Sequence, residues 1–266
     1  VASIRQAAVR SRNLSQFMQD DWQLEGRSEG GIEVGTLVYG IEIEGVPQEV
    51  RESMEEMLRG YGATMEPMLE ELVERSKSVR ELESRLWNDE ADYSREVRMA
   101  MRRTWQERRE KVGEAAGELA AHNRDTVDAL TSAMPDEFKW RLRDAYERRA
   151  YPAAFEGEEA LEDLIGQIRE LELTPEQRTG VESSIDAFRM SRRDLTRDMI
   201  ELSRSGDTET SFPPTRESME SGIAQAQLEY KQSQLAERTK VQLELLLEPA
   251  QVASVPAFAQ VRKSEK

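Results

Sequence analysis

The residues that most often carry catalysis are scarce in this chain. It has one histidine, His122, and no cysteine among its 266 residues. A nucleophilic serine needs a base such as histidine or lysine beside it, and zinc or copper sites draw on histidine and thiolate ligands. His122 stands beside Asn123, Arg124 and Asp125 in a segment that reads as helix, so we expect a helix-surface residue and not a ligand. The sequence therefore predicts a protein that is not an enzyme and that uses no metal or cofactor.

Carboxylates are the one plentiful reactive group, with 53 Asp and Glu against 37 Lys and Arg. Acid pairs such as Asp20-Asp21 and Asp89-Glu90 read as charges at helix ends. No Asp/Asn-Gly loop of the calcium-binding type occurs, so no carboxylate site for Ca²⁺ or Mg²⁺ is singled out, and such binding stays open. Gly30-Gly31 reads as a break between helices and not as a phosphate-binding loop.

Four short motifs stand where a helix is expected to begin, and in each a proline is followed two residues later by Glu or Gln. They are Pro47-Gln48-Glu49, Pro135-Asp136-Glu137, Pro175-Glu176-Gln177 and Pro249-Ala250-Gln251. In the fullest copy, which begins at Leu173, Thr174 can accept a hydrogen bond as the N-cap and Pro175 fits the first helical position. Gln177 can reach back to complete a capping box. We therefore predict that the motif residues are structural helix caps.

The chain also repeats itself. Nine apolar positions of the first half recur 127 residues later, namely Leu37, Val38, Ile41, Val46, Met54, Leu58, Tyr61, Met68 and Leu72 against Leu164, Ile165, Ile168, Leu173, Val181, Ile185, Phe188, Leu195 and Met199. Further on, Val127 and Pro135 lie 114 residues before Val241 and Pro249. Similarity over this length indicates two copies of one domain-sized unit and not a solenoid of short repeats.

Helical periodicity runs through nearly the whole chain. We expect helices at 2–24, 32–43, 47–86, 93–133, 136–150, 158–171, 175–204, 216–247 and 249–261, with a kink at Pro67 or two helices in place of one at 47–86. Apolar residues alternate along segment 32–43, so it also fits a strand. We favour a helix there, because the equivalent segment 158–171 of the second half reads as helix. The predicted fold is all-α, built of two tandem helical-hairpin units of long antiparallel helices. Residues 1–31 would form an N-terminal helix and linker, 32–157 the first repeat and 158–266 the second.

The charge balance narrows the choice of partners. The formal net charge is −16, and nucleic-acid binding generally needs a basic footprint, so nucleic acid is a poor candidate. No apolar run approaches the length that crosses a bilayer, and the chain shows no signal peptide at its start. A chain that is 34% charged and 38% hydrophobic suits thin helical structures with much surface per residue.

The order of motif, helix, loop, long helix and second motif resembles the Spy/CpxP group of bacterial periplasmic stress proteins, which carry two Leu-Thr-x-x-Gln motifs per domain. Leu173-Thr174-Pro175-Glu176-Gln177 is a full match, whereas the copy from Leu247 to Gln251 keeps Leu247, Pro249 and Gln251 and has Glu248 in place of Thr. The first-half copies, with Pro47 and Glu49 and with Pro135 and Glu137, are degenerate. The resemblance covers about 173–258 well and 36–150 weakly.

The resemblance implies an all-α cradle outside the cytoplasm that acts as an ATP-independent chaperone or stress adaptor. Clients would be non-native or partner proteins, and the −16 net charge favours basic ones, whereas the family's chaperones tend to present basic surfaces. A homodimer and a single chain whose two halves imitate one both stay open. The alternative function is a structural helical scaffold subunit that binds one fixed partner.

Overall fold

The structure, a computed structural model of the 266-residue chain, describes residues 5–12, 14, 28–40, 47–87, 93–205 and 216–258. The described part is all-α and contains no strand. The chain divides into two compact units, Val1–Ala150 and Tyr151–Lys266. None of the described helices is long and apolar enough to cross a membrane.

The first unit is a long antiparallel helical hairpin with shorter helices packed on one end. Its elements are α1 (residues 5–12), a 3-10 turn Ser28–Gly31, α2 (Val34–Gly40), α3 (Gln48–Leu86), α4 (Arg95–Ala133) and α5 (Asp136–Ala150). The expected helix at 32–43 is confirmed by α2, since helix and not strand is found at 34–40. The long α3 runs as one helix with Pro67 inside it, which decides between the one-helix and two-helix predictions.

The buried side of α4 does not extend over the whole length of the helix. On α4 the expected apolar side is buried at Val112, Ala116 and Leu119, whereas Val97, on the same predicted side, is 44% exposed. The prediction of a continuous buried side was therefore wrong at the first turn of α4.

The second unit has the same order of short, long, long and short helices. After a 3-10 turn Pro152–Phe155 come α6 (Glu158–Arg169), α7 (Pro175–Ser205), α8 (Arg216–Leu246) and α9 (Pro249–Ser254), with α7 and α8 antiparallel. Its core is built by α6, α7 and α8, by Leu247 and by the segment after α9, through Leu161, Leu164, Ile165, Ile168, Val181, Ile185, Phe188, Leu243, Leu247, Val255 and Phe258.

Burial follows the repeat along the first long helix of each unit. Met54 and Val181, Leu58 and Ile185, Tyr61 and Phe188, and Leu72 and Met199 are buried in both copies, while Met68 and Leu195 are half-buried in both. The match proposed for the second long helices was wrong in register, because Val127 is buried whereas Val241 is 51% exposed. On α8 the buried positions are Thr239 and Leu243 instead.

The two units of the structure have other boundaries than the repeats predicted from the sequence. Arg10 of α1 forms a 3.0 Å ion pair with Glu33, so α1 packs within the first unit. Segment 151–157, which the sequence assigned to the first repeat, packs in the second unit, where the guanidinium of Arg192 donates to the carbonyl of Ala154 at 2.9 Å. The expected turn at 88–92, most of the loop at 205–214, Ile41, Val46 and the N-terminal helix beyond residue 14 lie outside the described residues.

Candidate functional site

The motif at the start of α7 forms a complete capping box. The hydroxyl of Thr174 accepts from the backbone N–H of Gln177 at 3.2 Å, and the backbone N–H of Thr174 donates to Oε1 of Gln177 at 3.1 Å. Pro175 is the first residue of the helix, where its missing N–H costs no hydrogen bond. Two amides that a helix start would otherwise leave without acceptors are thus satisfied.

The motif at the start of α9 is built in a similar way. Pro249 is again the first helical residue, and the backbone N–H of Glu248 donates to Oε1 of Gln251 at 2.8 Å. Leu247, which opens this motif, is buried in the core, and Leu173, which opens the other, is half-buried against the same core. Each motif therefore joins an apolar anchor to a glutamine folded back onto its own helix start.

The two glutamines also bind each other. Nε2 of Gln177 donates to Oε1 of Gln251 at 2.9 Å, and Nε2 of Gln251 donates to Oε1 of Gln177 at 3.3 Å. The second hydrogen of each amide reaches the residue before the other motif, since Gln177 donates to the carbonyl of Leu246 at 3.1 Å and Gln251 to the carbonyl of Glu172 at 2.9 Å. Each motif therefore makes the same two kinds of hydrogen bond to the other motif. Together these bonds hold the start of α7 against the junction of α8 and α9.

Among the described side chains of the first unit's motifs, no pair of this kind is found. Pro47 and Pro135 each stand one residue before their helix and not at its first position, and Pro47 makes no side-chain cap hydrogen bond. Glu49 is exposed. Glu137 lies in the first turn of α5, and its side chain is outside the description. A proline at the cap position has no side-chain acceptor to offer, so Pro47 caps α3 by its position alone.

His122 takes part in a buried polar cluster of the first unit. It is half-buried and not exposed, and its ring stacks on that of Tyr61 with centroids 5.3 Å apart and 14° between planes. The Tyr61 hydroxyl accepts from the N–H of Val34 at 3.2 Å and donates to Oδ1 of Asn123 at 3.0 Å. Burial raises the pKa of Tyr61 well above its usual range.

The amide of Asn123 completes the cluster by donating to the carbonyls of Glu29 at 2.8 Å and Ile32 at 2.9 Å. Its hydrogen bonds therefore hold the turn that precedes α2, which is a structural role. Within the described ranges, no group of three or more His, Cys, Asp or Glu is arranged to hold a metal ion.

The second unit contains an open cleft of about 560 Å³ between α6, α7 and α8. Leu161, Leu164 and Phe188 form its apolar floor. Four carboxylates stand around it, and they are Glu156, Glu158, Glu229 and Glu237. The two cations of the lining are Arg192 and Lys240. The rim is therefore net acidic over an apolar floor.

Hydrogen bonds to the main chain fix one end of the cleft. Nη2 of Arg192 donates to the carbonyls of Ala154 at 2.9 Å and Glu156 at 3.1 Å, and Nε2 of Gln232 donates to the carbonyl of Glu156 at 3.0 Å. Both side chains are buried, on α7 and α8. Gly157, which follows, has φ +74° and starts α6 in the left-handed region. The cleft was not predicted from the sequence, although Gln232, a polar residue on the buried face of α8, is a signal for it.

Comparison with protein-family models, with curated proteins and with solved structures finds no match to this chain. The resemblance to the Spy/CpxP group therefore rests on the motif residues and the order of helices.

Proposed function

We propose that this chain is a non-enzymatic, extracytoplasmic protein that binds non-native or partner proteins without ATP, as a chaperone or stress adaptor of the Spy/CpxP kind. The surface that we assign to binding is the cleft of the second unit. The periplasmic location and the stress role are supported by the resemblance of the Leu173–Gln177 and Leu247–Gln251 motifs to the family.

The observation that carries the proposal is the combination of the cleft's apolar floor with its acidic rim. A client segment with an aliphatic or aromatic residue flanked by Lys or Arg could bury its apolar part on Leu161, Leu164 and Phe188 while its cations meet the rim carboxylates. The rim residues Glu229 and Glu237 are exposed, so these charge contacts are screened by salt over a Debye length of about 8 Å at physiological ionic strength. We therefore expect the chain to bind basic clients weakly and in a salt-sensitive way.

An aggregation assay tests the proposal. A reduced, aggregating basic client is followed by light scattering with and without equimolar chain, at low and at high salt. We expect slower aggregation at low salt, and a smaller effect at high salt and for the double variant Glu229→Lys with Glu237→Lys. The matched control is Asp186→Lys with Glu201→Lys, which reverses two exposed acids of α7 outside the cleft and should leave the effect unchanged.

The alternative proposal is a structural scaffold that binds one fixed partner and has no client activity. If aggregation is not slowed at either salt concentration, the scaffold replaces the chaperone. If the control variant loses as much activity as the cleft variant, the net charge of the chain and not the cleft is responsible, and the assignment of the cleft is wrong.

A further inference from the structure

A group of arginines lies at the start of α4, in the first unit. Arg95, Arg98 and Arg102 line an open pocket of about 530 Å³ together with Tyr93 and Met99, and we call it the arginine pocket. At about 100° per residue, its four lining residues on α4 fall within about 100° of arc on one face of the helix. The three arginines span about 10 Å at 1.5 Å per residue. Three guanidinium groups therefore lie close together around one pocket.

The charge of the arginine pocket is opposite to that of the chain. No carboxylate among the described residues lines it, although the chain carries 53 Asp and Glu against 37 Lys and Arg. Segment 88–92, which contains three acids, lies outside the described residues. Arg95 and Arg102 are exposed, and in the part of the chain that the structure describes neither forms an ion pair. Like charges three and four positions apart on a helix repel each other, and a bound anion would relieve that repulsion.

Local hydrogen bonds hold the wall of the pocket and the start of the helix. Nε of Arg98 donates to the carbonyl of Tyr93 at 3.4 Å, which keeps the two lining residues together. The hydroxyl of Ser94 accepts from the backbone N–H of Val97 at 3.4 Å, so the first turn of α4 already has a side-chain cap. Glu96, the one acid between Tyr93 and Arg102, does not line the pocket. The groups available to an anion are therefore the guanidinium groups and not the amides of the helix start.

We propose that the arginine pocket binds an anion that carries two or more phosphate groups. A guanidinium presents a planar fork of N–H donors that matches the oxygens of a phosphate, and such bidentate, charge-assisted hydrogen bonds are strong. A carboxylate has only two oxygens, which a single guanidinium can occupy, whereas a di- or triphosphate offers enough oxygens and charge for three. The phosphate groups belong either to a free anion or to a lipid headgroup. The pocket lies in the first unit, so the proposal is independent of the cleft and of client binding.

Isothermal titration calorimetry with inorganic triphosphate tests the pocket. We expect binding that the double variant Arg95→Gln with Arg102→Gln weakens by about tenfold or more in Kd, because two charge-assisted contacts are lost. Both side chains are exposed, so this pocket variant should keep its fold, which its circular dichroism spectrum checks. The matched control is Arg80→Gln with Arg103→Gln. It changes two exposed arginines of the same hairpin that do not line the pocket, and it should bind triphosphate nearly as well as the unchanged chain.

Two further probes identify the anion. Co-sedimentation with vesicles of phosphatidylcholine and cardiolipin, a lipid with two phosphates, tests the headgroup, and hexaglutamate tests a carboxylate ligand. Binding to the vesicles but not to triphosphate, lost in the pocket variant, assigns the pocket to a lipid headgroup, and the converse assigns it to a free anion. The proposal is overturned if neither phosphate probe binds, or if the control weakens binding as much as the pocket variant does. Hexaglutamate that binds as tightly as the better phosphate probe overturns it too.

Discussion

The side-chain amides of Gln177 and Gln251 hydrogen-bond to each other in both directions, at 2.9 and 3.3 Å. The two residues are 74 positions apart, and each also caps its own helix. The pair thus ties local helix capping to the tertiary packing of the hairpin, so that a change at either glutamine affects both.

Gln177→Ala should lower the free energy of unfolding of the second unit by about 2 kcal/mol, because several half-buried polar groups lose their partner together. A double-mutant cycle with Gln251→Ala should give a coupling of about 1 kcal/mol between the two sites. Urea melts followed by circular dichroism measure both values.

The tryptophans provide the control for that experiment. All four, Trp22, Trp87, Trp105 and Trp140, lie in the first unit. The tryptophan fluorescence midpoint should therefore stay in place while the circular dichroism transition of the second unit moves. Additive effects of the two substitutions would contradict the direct amide pair.

Thr174→Ala should cost about 1 kcal/mol in the same unit, because the N–H of Gln177 loses its acceptor at the helix start. Thr174→Ser keeps the hydroxyl and should keep most of the stability. Urea midpoints of the two variants, compared with the unchanged chain, measure the difference. Equal losses for Ala and Ser would mean that the hydroxyl is not the stabilising group.

Gly157→Ala should destabilise the second unit by about 1–2 kcal/mol, because φ +74° is strained for a residue with a Cβ. Gly166→Ala is the matched control in the same helix, since its added Cβ meets no atom within 4 Å. Alanine there should raise stability by up to about 1 kcal/mol. Thermal melts that shift both variants in the same direction would contradict the role of the left-handed Gly157.

Tyr61→Phe should destabilise the first unit by about 1–3 kcal/mol, because the backbone N–H of Val34 and the side-chain oxygen Oδ1 of Asn123 lose a buried partner. Tryptophan fluorescence during urea unfolding measures this loss. A tryptophan fluorescence midpoint that does not move in the Tyr61→Phe variant would contradict this prediction.

The same tyrosine predicts a dependence on alkaline pH. Burial raises the pKa of Tyr61 in the folded chain, whereas in the unfolded chain the phenol ionises near pH 10. The unfolded state therefore releases a proton that the folded state keeps, and stability that is complete below about pH 10 declines as the pH rises above it. Urea melts between pH 9 and 11 should show a steeper decline for the unchanged chain than for Tyr61→Phe.

The sequence by itself determined the helices. Apolar spacing and the motifs placed α3, α4, α5, α7 and α8 within a few residues of their observed ends, because helix periodicity and capping are local properties. The capping box of Thr174 and Gln177 was predictable for the same reason, since both partners lie within one turn of chain.

Only the tertiary structure decided which residues meet across the chain. The pairing of Gln177 with Gln251 depends on α7 and α8 packing antiparallel, which brings the start of one helix beside the end of the other. The exposure of Val97 and Val241, at positions expected to be buried or matched to a buried residue, depends on which helix lies beside them. Local spacing defines the apolar face of a helix, but burial requires a neighbouring element to cover that face, and the position of the neighbour is not encoded in the spacing.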